Sequence, residues 1–365
     1  MSQDTTERIV VIGAGLGGIS AAISLAADGY EVDVYEKNNH VGGKLNLLEK
    51  DGFSFDLGPS ILTLPAYFEK LFERHDRRME DYLRCRELNL HWRCFFEDQT
   101  QIDLYPDVGH TWAANSALDE SDEADLRGFL AYSRDLYETT KPGYFDEGLD
   151  TAWGMLRYYG PFSAAWRFDL LRSMASGVEK RVQNPYLRHI LNFFVKYVGS
   201  SPYDAPGVLN LLPHIQFEYG LWYVDGGLFK LSGALERLAR EVGIDLHLGA
   251  EITSLSTDGG RVDGAQLADG TPVEGDLFIS NMEVVPAYRD LLSEPQEFME
   301  TLEKFEPACS GLVLHLGTDR EYTQLAHHNF FFSRDPEKHF HQVFHEKQLP
   351  DDPTIYVVAP TRTDR

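Results

Sequence analysis

Residues Gly13-Ala14-Gly15-Leu16-Gly17-Gly18 carry the spacing GxGxxG directly after the apolar run Ile9–Ile12. In this pattern the first glycine permits a tight turn, the second lets backbone approach a pyrophosphate, and the third lets a helix pack on a strand. Amides at the start of the following helix then face the phosphates. Glu36, with Lys37 beside it, stands at the end of the next apolar alternation, EVDVY, where a carboxylate can accept from both ribose hydroxyls. Together these residues predict a dinucleotide site. The competing reading is a tight turn followed by a surface glutamate.

FAD and NAD share that fingerprint, so the choice between them needs another feature. Gly42-Gly43-Lys44 supplies one: a second glycine pair lets more backbone approach the cofactor, and Lys44 places a positive charge near the pyrophosphate. The sequence DGFSFDLGPS then brings the turn Asp56-Leu57-Gly58-Pro59-Ser60 toward an isoalloxazine ring. A plain hairpin turn is the alternative account of Gly42-Gly43.

The elements that must position these groups are legible nearby. A β-branched strand at Ile9–Ile12, a helix over Ile19–Ala27 ending at Gly29, and a strand at Glu31–Tyr35 make a βαβ unit. From Tyr67 to about Tyr223 the pattern is long, aromatic and mostly helical, broken at Gly143, Gly160-Pro161, Pro185 and Pro202. The acidic stretch ANSALDESDEA at Ala114–Ala124 reads as a loop or helix start with a solvated face. Strands return as a meander at Asp245–Leu248, Ile252–Ser256, Val262–Leu267 and Leu277–Ile279, and further strands are expected at Gly311–Leu316, Phe330–Phe332 and TIYVV.

The fold expected is α/β, a Rossmann-type FAD-binding domain with an inserted α+β substrate domain. The FAD-binding domain is discontinuous, residues 1–75 and 224–290. The substrate and membrane-associated domain takes residues 76–223 and 291–365.

Composition bounds the function. The 365 residues hold 33 basic and 58 acidic side chains, a net charge of -25, which repels nucleic acid. Cys85, Cys94 and Cys309 form no CxxC pair and suit a reducing compartment. No secretory signal precedes the first strand, which points to the cytoplasm. No run reaches the roughly 18 consecutive apolar residues a spanning helix needs, so membrane contact would be peripheral.

Residues 151–200 stand apart from the acidic remainder. Arg157, Arg167, Arg172, Lys180, Arg181, Arg188 and Lys196 face only Asp169 and Glu179, and aromatic residues including Trp153, Tyr158, Phe162, Trp166, Phe168 and Phe194 interleave with them. Rings at headgroup level and long cationic stems let a helix lie on an anionic leaflet. A helical core with a basic rim is the alternative.

The stretches YEKNNHVGGKLN and DGFSFDLGPSILTLP resemble the flavin-dependent carotenoid desaturase and oxidase family. The likeness continues through KYVGSSPYDAP, GLWYVDGG, ISNMEV, LAHHNFFFS and LPDDPTIYVVAP, over practically the whole chain. It implies a GR2-like flavoprotein with FAD as cofactor. Gly13, Gly15 and Gly18 would be at the pyrophosphate, Glu36 at the ribose, Gly42, Gly43 and Lys44 at the second phosphate side, and Ile252 meeting the adenine through backbone atoms. Within the family the segments look most like the branch that oxidises the terminal methyl of C30 carotenoids. A desaturase of phytoene or diapophytoene is the first rival, and a truncated, non-catalytic membrane-binding chain the second. Family members run on further, through a glycine-rich segment near the C-terminus, so the resemblance also implies that a C-terminal part is missing here.

A long polyene substrate has a physical corollary. Burying about 500 Å² of hydrocarbon at roughly 25 cal/mol per Å² is worth about 12 kcal/mol, so the substrate passes from bilayer to an apolar tunnel rather than through water. Removing hydride from an allylic methyl leaves a cation delocalised along the chain. Glu218, His214, His327 and His328 are candidates for an assisting base, with none singled out, and the histidine pair reads more readily as structural than as catalytic. No metal-ligand spacing is present.

Overall fold

The computed structural model describes residues 7–149, 151–160 and 167–364. Pro161, Phe162 and Trp166 lie outside the described residues. The chain divides into two compact units, Met1–Arg86 with Trp222–Pro307 and Glu87–Leu221 with Ala308–Arg365.

The first unit is built on a four-stranded parallel sheet in the order Leu277–Ser280, Arg8–Ile12, Glu31–Glu36, Asp245–Leu248. Ile9, Val10, Val11 and Ile12 are all buried, as in a parallel sheet covered on both faces. The helix Leu16–Ala27 makes the crossover and buries Gly18, Ile19, Ala22 and Ile23, a three-and-four spacing that forms one apolar stripe. It packs in one core with Leu231, Leu235 and Leu238 of the helix Lys230–Glu241. Each such aliphatic side chain contributes about 1.5–3 kcal/mol by leaving water. Gly29, at φ 93°, ends the crossover helix.

Asp33 is a charge buried in the middle of this sheet. Asp33 accepts from Arg8 Nε at 2.6 Å and meets His247 Nε2 at 3.0 Å. Burial pushes its pKa up, but hydrogen bonds from Arg8 and His247 outweigh it and hold the carboxyl below its ordinary value.

The expected single meander is split between two sheets. Asp245–Leu248 and Leu277–Ser280 flank the Rossmann strands, whereas Ile252–Asp258, Arg261–Leu267 and Pro272–Val273 form a separate antiparallel sheet. The helix Lys230–Glu241 feeds Asp245–Leu248 as a parallel crossover, which a hairpin cannot do. Met79 and Leu83 are buried with Ile19 and Leu235, so the first unit runs to Arg86 rather than residue 75. Leu291 packs with Val10 and Ile12, and the unit continues past residue 290 to Pro307.

The second unit carries a sheet in the order Ile355–Val358, His328–Phe331, Trp92–Phe95, Gln101–Leu104. Two of these strands come from the stretch that reads as mostly helical; Trp92 and Cys94 are buried while Arg93 and Phe95 are only partly so, a period of two across four residues. Helices Glu120–Thr140, Pro185–Phe193 and Leu212–Tyr219 belong to the same unit. The acidic stretch before the first of them is its cap: Asp119 accepts from the amides of Ser121 and Asp122, and Asp122 accepts from the Asp119 amide.

The strand expected at Gly311–Leu316 is not formed. That backbone has no ladder partner among the described residues, and Leu312, Val313, Leu314 and Leu316 are exposed. Apolar alternation specifies a strand only where a neighbouring strand supplies the hydrogen bonds. Among the described residues no helix is long and apolar enough to cross a membrane.

Candidate functional site

All of the predicted cofactor residues lie in the first unit, and the structure brings the two glycine pairs together. The Gly42 amide donates to the Ala14 carbonyl at 2.8 Å, and Gly15 and Gly42 form an isolated parallel bridge. A β-carbon on Gly43 would stand 2.9 Å from the Gly15 Cα, so backbone lies on backbone here. The Ser232 hydroxyl donates to the Val41 carbonyl and anchors the second pair to the helix Lys230–Glu241. Gly42-Gly43 is therefore no free hairpin tip. It is the second wall of one glycine cradle.

The helix over this cradle starts at Leu16 with Gly15 as its N-cap, no side-chain cap bond and no acidic residue in its first turn. Its leading amides keep their partial positive charge available to an anion. Gly18 is required by packing, since a β-carbon would run into the Gly13 carbonyl.

Glu36 is buried. Its Oε2 accepts from the Ala14 amide at 2.7 Å, and its Oε1 accepts from the Asn38 amide at 2.8 Å and from Asn38 Nδ2 at 2.6 Å. A carboxylate offers about four acceptor positions, so three are taken and one remains for a hydroxyl. Gripping both hydroxyls of a ribose requires the Asn38 amide to swing away. Lys37 is exposed beside it.

Lys44 points into solvent and pairs with Glu283 at 2.9 Å. An exposed pair of this kind is easily exchanged for another anion. Gly58 packs against the backbone of Lys44 and Leu45, with no room for a β-carbon. Asp56, before it, accepts from the amides of Leu228 at 2.7 Å and Phe229 at 3.0 Å, satisfying donors at the start of the helix Lys230–Glu241. Pro59 is exposed and Ser60 half-buried on the same turn. Ile252 is buried against Val10, Ile12 and Tyr35, and the neighbouring Ala250 amide donates to the Glu36 carbonyl at 2.9 Å.

One residue escapes sequence reasoning. Asn281 follows the strand Leu277–Ser280, and its amide donates to the Ile12 carbonyl at 2.9 Å. Its side chain lies over the cradle: β-carbons on Gly15 and Gly17 would stand 2.8 Å from Asn281 Nδ2 and 2.6 Å from Oδ1. The available signal was position, a polar residue just past the carboxyl end of a parallel strand.

These residues fit a dinucleotide: an uncapped helix N-terminus for phosphate, a buried carboxylate with a spare acceptor position for a sugar, and side-chain-free backbone between them.

The candidate bases lie in the second unit and do not form one cluster. Glu218 is exposed, and His214 is buried among Tyr137 and Tyr219, its pKa lowered by burial. His327 and His328 are buried neighbours, bonded to Thr363 at 2.7 Å and Tyr356 at 2.8 Å respectively. Of the expected interfacial aromatics, Phe168 and Phe194 are core, while Trp153 and Tyr158 are exposed. Arg167, Arg172, Lys180 and Arg181 line a cavity of about 470 Å³. Arg188 is turned inward to the Val182 carbonyl.

Residues 16–357 match the family described as flavin containing amine oxidoreductase. The chain is 50% identical over 364 residues to a 4,4'-diapolycopene oxygenase of Methylomonas sp, covering 100% of this chain and 73% of that protein. It is 51% identical over 360 residues to a 4,4'-diaponeurosporene oxygenase of Staphylococcus aureus (strain USA300), covering 98% and 72%. Among solved structures, an oxidoreductase from Methanosarcina mazei matches with a TM-score of 0.55 at 18% identity, over 81% of this chain and 63% of that one. Putrescine oxidase bound to putrescine matches with a TM-score of 0.56 at 15% identity, over 82% and 63%. The chain thus spans somewhat under two thirds of the length of these structures.

Proposed function

The chain belongs to the flavin-containing amine oxidoreductase family, and on that premise we propose that it is an FAD-dependent carotenoid oxygenase, oxidising the terminal methyl group of a C30 diapocarotenoid to an aldehyde. The observation that carries this reading is identity of about half over essentially the whole chain to two proteins named as oxygenases of such polyenes.

When bound, FAD supplies a two-electron hydride acceptor. Gly13, Gly15 and Gly18 present backbone to its pyrophosphate, and the uncapped amides of the helix Leu16–Ala27 offset the phosphate charge. Glu36 accepts from a ribose hydroxyl, with Lys37 beside it. Gly42 and Gly43 admit the second phosphate side, and Lys44 exchanges Glu283 for it. Gly58, Pro59 and Ser60 hold a rigid turn toward the isoalloxazine, and Ile252 meets the adenine. Asn281 joins this set as a side-chain amide over the phosphate side.

The polyene reaches the enzyme from a membrane surface. The exposed Trp153, Tyr158 and Leu171, close in sequence to the basic cavity of Arg167, Arg172, Lys180 and Arg181, support peripheral docking on an anionic leaflet, on the cytoplasmic side where free thiols persist. Charge reversal of Arg172, Lys180 and Arg181 together should abolish sedimentation with anionic liposomes, and unchanged sedimentation of the folded variant refutes docking through this face.

The activity is tested by incubating flavin-loaded protein with 4,4'-diaponeurosporene and weighing the product. Replacement of two hydrogens by one oxygen supports the oxygenase. Loss of hydrogens alone makes the chain a desaturase, and purified protein that takes up no flavin when incubated with FAD is non-catalytic.

A further inference from the structure

The second unit encloses a group of polar side chains that the flavin site does not use. Trp92, His91 and His328 are fully buried, and Trp92 Nε1, His91 Nε2 and His328 Nε2 have no hydrogen-bond partner among the described residues. Lys196 joins them. Its amine stands 4.9 Å from the centre of the Trp92 ring, 3.7 Å from that of Tyr197 and 5.5 Å from that of Phe330. Burial holds the His328 pKa well below its ordinary value, and His327, Lys196 and His91 nearby add to that effect.

The hydrogen-bond roles in this group can be worked out. The Tyr197 hydroxyl donates to Gln216 Oε1 at 2.9 Å, which turns the Gln216 amide nitrogen toward His91 Nδ1 at 3.5 Å. His91 Nδ1 is then the acceptor, and the proton of the neutral ring sits on Nε2. The Trp92 indole can only donate, as can an ammonium. Two buried N–H groups without an acceptor among the described residues, and an amine held over the Trp92 ring, therefore belong to one aromatic cluster of this unit. Burial alone brings the Lys196 pKa down to about 7, so the amine is ready to share a proton near neutrality.

Buried donors without acceptors are rare and are satisfied by ligand or water. We infer that His91, Trp92 and Lys196 form a binding site for a carbonyl oxygen, the oxygen-bearing end of a conjugated polyene aldehyde, with aromatic rings around the adjoining carbons. The choice of polyene rests on the function proposed above; the preference for an acceptor oxygen rests on the donors alone.

The test titrates the flavin-loaded chain with a C30 polyene mono-aldehyde and with the C30 hydrocarbon of equal conjugation. The aldehyde should bind roughly tenfold more tightly than the hydrocarbon, with a red shift of its absorption band, as expected for about one good hydrogen bond. Trp92→Phe and Lys196→Met should each erase the shift and bring the two affinities together, while hydrocarbon binding persists as proof of folding. Equal affinities and no shift in the unaltered protein overturn the site, as does a shift retained in both variants, which would leave only bound water at these donors. Failure of both polyenes to bind overturns the carotenoid reading itself, and this site with it.

Discussion

Glu36 Oε2 accepts a 2.7 Å hydrogen bond from the amide of Ala14, so the carboxylate expected to hold a sugar also fixes the middle of the glycine turn. Position and function are coupled in one side chain. Glu36→Ala should therefore act twice: flavin content after denaturation should fall at least roughly tenfold, and stability should drop by about 1–3 kcal/mol as buried donors lose their acceptor. Full flavin occupancy in that variant would remove the basis of the cofactor assignment.

The two glycine pairs predict opposite outcomes from a third glycine. Gly43→Ala drives a β-carbon to 2.9 Å from the Gly15 Cα at a residue with φ 62°, and overpacking of this kind costs about 1–3 kcal/mol. Gly233, exposed within a helix and with nothing near its missing β-carbon, should instead gain about 0.5–1 kcal/mol on conversion to Ala. Urea melts of the two variants decide it; equal effects would mean the cradle is not packed backbone on backbone.

Asn281 should matter through charge rather than packing. Asn281→Asp puts an anion over Gly15 and Gly17, and flavin affinity should weaken by roughly tenfold, about 1.4 kcal/mol, with the melting temperature of the flavin-free protein unchanged. Fluorescence titration with FAD reads the affinity. An unaltered dissociation constant would place the pyrophosphate elsewhere.

Acid should loosen the second unit before it touches the first. Burial lowers His91, His189 and His327 from 6.5 to about 4. Unfolded, these rings take up protons near their ordinary value; folded, they resist until about 4. The unfolded state thus binds more protons in that window, and the stability present above about pH 6.5 is lost as the pH falls through it. The urea midpoint should be lower at about pH 5 than at about pH 7.5, and His91→Gln should flatten the slope. A midpoint independent of pH across the window would refute neutral burial of these rings.

Much of the first unit was legible because its signals are local. The run Ile9–Ile12, the glycines and Glu36 sit within one βαβ unit, and the observed strands Arg8–Ile12 and Glu31–Glu36 differ from expectation only at their ends. Asn281 was not legible, because only strand order brings residue 281 beside residue 13. The strands Trp92–Phe95 and Gln101–Leu104 form a short antiparallel hairpin whose four-residue arms are masked by the helical, aromatic pattern around them, and the parallel pairing of Trp92–Phe95 with His328–Phe331 leaves no local mark. The enclosure of His91, Trp92 and Lys196 depends on the same pairing. Position in the chain gives Lys196 the look of a surface cation; only the fold places rings around it.

Leu312, Val313, Leu314 and Leu316 combine a backbone that has no ladder partner among the described residues with greasy side chains open to water. Such a ribbon is a template for another copy of itself. Solutions of this polypeptide should therefore turn cloudy as concentration rises, and a lysine in place of Leu314 should keep them clear by setting like charges against each other wherever two ribbons align.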